Sequence, residues 1–401
     1  MRTGLLAGLV ALAVAAYAVV ALTRGVPPAT VVAVPVSGAF PGPPPALAWP
    51  DQGEAAAGVE GVGLIGLHGS ARPTPIASVA KVMTAYLVLR DHPLGSAGNG
   101  PMLTVSPADV GVYRGDLAAG QSVVAVRAGE QLTERQALEG LLLPSGNNLA
   151  TLLAGWDAGS DAAFVAKMNA RARALDLART HYADASGVQG GTVSSAGDQV
   201  RLAILALEVP AFAQIVAMPE ATLPVAGRQY NVDGLLGRDG IVGVKTGSTS
   251  QAGGCFVFAA HEPLGGRTVT VVGAVLHQLA TRAQPSIIEG AFHASTTLLA
   301  SISRDVVRLK VVRRGTTLAW VKAPWADPVA VRAAATVSLL GWPGLPIHAA
   351  TATARHPATP LHAGQSIGTE VVTAGSQRAE VGLVTARSLP QASLGWRLTH
   401  P

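Results

Sequence analysis

Three short patterns follow one another along the chain: Ser78-Val-Ala-Lys81, Ser145-Gly-Asn147 and Lys245-Thr-Gly247. Each alone is weak. The first reads equally as an N-cap serine with a solvated lysine, the second as a helix-capping turn, the third as a strand-to-turn transition. Their joint occurrence, with gaps of 67 and 100 residues, points to a single site where an activated serine attacks an acyl group.

The chemistry follows from the residue types. With Ser78 at the start of a helix, Lys81 lies one turn on, at i+3, on the same face. Helix-start amides favour negative charge developing on Ser78. Lys81 takes the hydroxyl proton once burial and a second cation, Lys245, lower its pKa towards neutrality. Gly146 permits a tight turn that aims Ser145 and Asn147 at one point; Ser145 would pass a proton to a leaving amine, and Asn147 would hold Lys81 or a substrate amide. Lys245 and Thr246 offer a cation and a hydroxyl to a carboxylate, Gly247 lets a substrate backbone approach, and the amides of Ser78 and Ser248 form an oxyanion pair. Lysine usage agrees with this. The chain has 24 Arg and only five Lys, yet two of the five stand in these patterns, and of the two cations only lysine can shed its proton to act as a base.

Composition limits the alternatives. Across 401 residues, 49% are hydrophobic and 13% charged, which excludes a disordered or fibrous chain. The net charge of +5 comes without any basic run or aromatic-basic cluster, so no nucleic-acid partner is expected. The single cysteine, Cys255, lies in an apolar strand-like run and reads as a core filler. The ten histidines lack metal-ligand spacing, so neither a metal nor another cofactor is expected.

Residues 1–24 read as a signal anchor or signal peptide. The uncharged run Gly4–Leu22 would extend about 28 Å as a helix, close to the hydrocarbon thickness of a bilayer, and Ala16-Tyr-Ala18 supplies a cleavage-like site. Both readings place the folded part outside the cytoplasm, membrane-anchored or secreted to the wall. Residues 25–44, rich in Pro, Val, Ala and Gly, read as an extended linker and not a folded element.

The folded part divides into a domain at 45–303 and a second at 304–401. A hairpin is expected around Ala46–Trp49 and Gly58–Leu67, helices over Ser78–Leu89, Thr133–Leu153, Ser160–Leu177 and Ile287–Leu299, and strands over Gly240–Thr246, Gly254–Ala260 and Thr268–Leu276. Strands at both ends with helices between them predict an α+β fold, an antiparallel sheet flanked by helices. Beyond 304, short alternating strands between Gly- and Pro-rich turns predict a small all-β sandwich. The final residues, Gly395 to Pro401, show no amphipathic or spanning helix.

Together with Gly129-Glu-Gln-Leu-Thr133, Asp184-Ala-Ser-Gly187, Ser195-Ala-Gly-Asp198, Asn231-Val-Asp-Gly-Leu-Leu236 and Pro360-Leu-His-Ala-Gly-Gln-Ser-Ile-Gly368, the motifs make the chain resemble the serine-type D-Ala-D-Ala carboxypeptidases, the low-molecular-mass penicillin-binding proteins. The resemblance implies a β-lactamase/D,D-peptidase-like sheet with an accessory β-sandwich. It implies Ser78 as nucleophile, Lys81 as base, Ser145 and Asn147 as relay and positioners, and Lys245-Thr246 as carboxylate anchor, with Arg282 standing where the family often has an arginine. Ala80, Asn148 and Asn231-Val-Asp233 depart from the usual Thr, Asp and Asn-Thr-Asn. The implied reaction removes terminal D-Ala from peptidoglycan stem pentapeptides, with β-lactams as covalent inhibitors. A D,D-endopeptidase, a β-lactamase (less favoured, for want of a Glu-x-x-Leu-Asn segment) and a catalytically silent wall-binding homologue remain the alternatives.

Overall fold

The computed structural model describes residues 2–70, 72–95 and 98–400; Met1 and Pro401, the outer ends of the expected leader and accessory domain, lie outside them. The chain forms two compact units, one of residues 45–306 and one that joins residues 1–44 to 307–401.

In the second of these, helix α1 (Arg2–Thr23) is mostly apolar, exposed over most of residues 6–23 though Ala21 is buried, and long enough to cross a membrane. Strands β1 (Thr30–Ala33) and β2 (Ser37–Ala39) follow. They correct the linker reading of 25–44.

In the unit of residues 45–306, the chain runs through β3 (Glu54–Val59) and β4 (Gly63–His68), then α2 (Lys81–Asp91), α3 (Pro107–Ala118), α4 (Glu134–Leu142), α5 (Asn147–Ala158), α6 (Asp161–Ala174), α7 (Ala196–Leu207) and α8 (Pro210–Val216). It closes with β5 (Ile241–Thr249), β6 (Gly253–Leu264), β7 (Arg267–Gln278) and α9 (Ile287–Asp305). The five long strands make an antiparallel sheet in the order β5-β6-β7-β3-β4, so the first and last segments of the unit pair. The hairpin thus starts at Glu54, not near Ala46 as expected.

Strand β6 shows why both faces are covered. Cys255, Val257 and Ala259 join the helical core, while Phe256 packs edge-on against Phe292 of α9. Gly254 lets α9 in: a Cβ there would lie 1.8 Å from the Ile287 carbonyl oxygen. On the core side α2 is buried at nine consecutive residues, Lys81 to Leu89. Over these nine residues only Lys81, Thr84 and the Tyr86 hydroxyl are polar, and α4 to α8 all pack against the helix.

The expected long helix over 133–153 is broken in two. Thr133 caps α4 with a capping box, Gly146 is the N-cap of α5, and Ser145 between them takes φ +67°. Ser78 falls in a 3-10 turn, Ala77–Ala80, one step ahead of α2 and not on it.

After residue 306 the strands are β8 (Val307–Val312), β9 (Thr317–Ala323), β10 (Ala326–Ala333), β11 (Val337–Gly341), β12 (Pro346–Thr353), β13 (Ser366–Ala374) and β14 (Gln377–Thr385), followed by a six-residue helix, α10 (Leu394–Thr399), that the sequence reading did not foresee. Seven strands form one sheet, β1-β9-β10-β14-β13-β12-β2, whose two edges are both supplied by the segment before residue 44; β8 pairs with β11. Proline-rich composition concealed this because the prolines flank the two short strands, Thr-Val-Val-Ala and Ser-Gly-Ala, which hold none themselves. Phe40, 2% exposed, anchors the segment against Gly341 and Leu345, its amide bonded to the Leu345 carbonyl. Phe40→Ala should therefore destabilise this β-unit by about 3 kcal/mol in thermal unfolding, where a loose spacer would register no change.

Candidate active site

Lys81 is wholly buried at the first turn of α2, and its Nζ lies 2.7 Å from Ser78 Oγ, 2.6 Å from Asn147 Oδ1 and 3.0 Å from the Ser186 carbonyl oxygen. No carboxylate pairs with it among the described residues. Burial pushes its ammonium far below the usual lysine value; Lys245 lowers it further, against smaller opposing effects of Asp184 and Asp116.

Three backbone segments converge on this pair. Ser78 sits in its 3-10 turn after Ala77, which holds φ +46°. Asn147 opens α5, and its side chain is oriented from behind: Nδ2 donates to Gln121 Oε1 at 2.8 Å, leaving Oδ1 to face Lys81. Asn148 then ties the α4–α5 corner to the neighbouring chain, accepting from the Val124 amide and donating to the Val124 carbonyl, both at 2.9 Å. From the opposite side β5 presses Gly247 onto the serine turn; a Cβ there would lie 2.9 Å from the Ile76 oxygen and 3.0 Å from the Ser78 and Val79 amide nitrogens. Only glycine permits that approach.

Ser145 Oγ is buried and finds no hydrogen-bond partner among the described residues. Lys245 is buried on β5 and donates to its neighbour's carbonyl, Thr246 O, at 3.1 Å. Burial brings its pKa down to about 7, while the charge of Asp233 holds it up. Thr246 is buried and Ser248 is exposed on the same strand. Arg282 lies on the exposed loop between β7 and α9 and makes no hydrogen bond or ion pair among the described residues.

Sequence reasoning assigned no role to several residues that shape the site. Gln121 carries no pattern of its own. Ser186 contributes a main-chain carbonyl, which any residue could supply. Asp233 is buried and accepts from the Leu235 amide, and desolvation raises its carboxyl to about 6 although Lys245 pulls it down. A cleft of about 490 Å³ opens beside Lys81, lined by Asp116, Gln121, Asn147, Thr151, Asp161 and Ser186 among others.

A sheet flanked by helices, with a serine, a desolvated lysine and an asparagine drawn together at one end of a buried helix, has the architecture of D,D-peptidases. The Streptomyces K15 DD-transpeptidase superposes with a TM-score of 0.55 at 27% identity, over 64% of this chain and 97% of that one. Penicillin binding protein 5 of Haemophilus influenzae, at 20% identity, shares the fold over 88% of this chain and 100% of its own, TM-score 0.60. The sequence model of D-alanyl-D-alanine carboxypeptidases matches residues 68–275, and the chain belongs to that family. Among its relatives are the D-alanyl-D-alanine carboxypeptidase DacB2 of Mycobacterium tuberculosis, 41% identical over 49% of this chain and 65% of that protein, and a D-alanyl-D-alanine endopeptidase of Pseudomonas aeruginosa, 33% identical over 46% and 58%. The match thus spans less than two thirds of either relative's length.

The coupling of Lys245 to Asp233 is open to direct measurement. In ¹⁵N-lysine NMR, Asp233→Asn should move the Lys245 titration below about 7, because removing the carboxylate removes what stabilises the charged amine.

Proposed function

We propose that this chain is an exported serine D,D-carboxypeptidase that releases the terminal D-Ala of peptidoglycan pentapeptides through an acyl-enzyme on Ser78. The observation that carries this reading is the desolvated, carboxylate-free Lys81 amine at hydrogen-bond distance from the Ser78 hydroxyl. Neutral Lys81 takes the proton as Ser78 Oγ attacks the carbonyl of the penultimate D-Ala. Charge developing on the carbonyl oxygen falls to the amides of Ser78 and Ser248. Ser145, its hydroxyl uncommitted, gives its proton to the departing D-Ala amine and takes in its place the one Lys81 received from Ser78; water then attacks the ester, frees the tetrapeptide and leaves its other proton on Ser78 Oγ. Asn147 keeps Lys81 in place.

Lys245 and Thr246 receive the terminal carboxylate, which explains a lysine held so near neutrality: a bound anion restores its proton. Arg282 is the proposed second cation for that carboxylate. Helix α1 supplies the signal or membrane anchor, and a β-lactam, whose ring amide imitates the scissile bond, acylates Ser78. No metal or other cofactor enters these steps.

A D,D-endopeptidase cutting cross-links is the second reading. It is favoured by the Pseudomonas aeruginosa relative and by an Escherichia coli D-alanyl-D-alanine endopeptidase 30% identical over 46% of this chain.

The test is release of D-alanine from a peptide ending Lys-D-Ala-D-Ala. Ser78→Ala should abolish release; a wild-type protein that cleaves only cross-linked dimers would replace this reading with the second. The pH profile carries its own sign. Lys81 must be neutral, so kcat/KM rises with pH through its lowered pKa. Lys245 must be charged, so kcat/KM falls again as pH passes about 7. A bell with that falling limb is the expected outcome.

A further inference from the structure

Lys81 Nζ meets three oxygens, and they are not equivalent. A neutral amine has two N–H donors and one lone pair. Asn147 Oδ1 and the Ser186 carbonyl oxygen can only accept, so they take the two N–H groups. The lone pair is left for the one partner that has a proton to give, the Ser78 hydroxyl. Orientation of the base therefore depends as much on the Ser186 carbonyl as on Asn147.

That carbonyl belongs to a tightly held turn. Asp184 Oδ2 accepts from the Ser186 amide and hydroxyl, from the Gly187 amide and from the Val188 amide, while Oδ1 accepts from Thr192 Oγ1. Thr84 Oγ1 of α2 donates to the Ala185 carbonyl at 2.7 Å. Gly187, at φ +86°, rests on the residue before the serine; a Cβ there would lie 1.8 Å from the Ala77 carbonyl oxygen. One carboxylate thus fixes a turn that touches the lysine, its helix and the serine's own turn.

We propose that Asp184 is a positioning residue: its carboxylate holds the Ser186 carbonyl as the fixed acceptor that turns the Lys81 lone pair onto Ser78. The proposal rests on the reading of Ser78 and Lys81 as nucleophile and base. Asp184 also adds charge. The charged groups sensed by Lys81 are Lys245 on β5, Asp116 on α3 and Asp184 itself, and the last two favour its protonated form.

The test uses the full chain with ¹⁵N-labelled lysine, which yields only five Nζ signals. Two quantities are followed against pH: the Lys81 titration and the rate of Ser78 acylation by a fluorescent penicillin. Asp184→Asn keeps the shape and removes the charge; Asp184→Ala also frees the turn. In Asp184→Asn, the Lys81 titration and the rising limb of acylation should both move to lower pH. In Asp184→Ala the acylation plateau should fall by roughly 10²-fold, the cost of a misdirected reacting group.

The proposal is overturned if the Lys81 titration stays put in both variants, or if Asp184→Ala acylates at the wild-type plateau. A uniform loss of rate at every pH with an unmoved Lys81 would mark the turn as stitching alone. If wild-type Ser78 is not acylated, the proposed function fails instead, and the Lys81 titration in Asp184→Asn still decides whether Asp184 acts on the lysine.

Discussion

The structure is organised around a lysine deprived of water and of any carboxylate partner. An unpaired ammonium in an apolar interior costs several kcal/mol, and a lysine so placed responds by giving up its proton. Here the surroundings supply neutral oxygens in place of anions: a serine hydroxyl, an asparagine amide and a main-chain carbonyl. Burial of Lys81 requires α2 to be sunk along nine residues, and this in turn requires helices and sheet to enclose it on all sides. Lys245 repeats the device less severely, with Asp233 restraining the loss of its proton. A carboxylate against Lys81 would make a more conventional ion pair and would hold its proton in place.

Bringing three separate chain segments within reach of one nitrogen also demands backbone that ordinary residues avoid. Ala77 and Ser145 hold left-handed conformations at φ +46° and +67°, each costing on the order of 1–3 kcal/mol and kept only where the surroundings over-determine it. Gly187 and Gly247 meet the serine turn from two sides, where a single Cβ would collide with main-chain atoms. Left-handed backbone also occurs away from this site, at Asp176, Asp239 and His277, the last within β7, and the register of β6 and β7 is regular apart from one bulge.

Legibility in the sequence tracked the range of the interaction. The three late strands and the closing helix could be read because apolar alternation and period are local properties, and the structure extends each by only a few residues. The motif serines and lysines could be read because their spacing on one turn is itself chemistry. The break between α4 and α5 was visible only as an interruption around Ser145, not as two helices. Residues 25–44 were misread because composition reports chain stiffness, whereas their strands exist only by pairing with β9 and β12, some 300 residues later.

What the sequence by itself determined is the set of candidate groups and their spacing: Ser78 with Lys81 one turn away, Asn147 after a glycine corner, and Lys245 near the end of a strand. Side-chain identity and short spacing are enough for that. The tertiary structure decided whether those groups could react. Desolvation of Lys81, the Gln121 contact that turns Asn147, and the Asp184 turn that offers the Ser186 carbonyl depend on residues far apart in the chain. Nothing in local pattern encodes them, because a pKa and a lone-pair direction are properties of the surroundings a residue acquires only after the chain has closed around it.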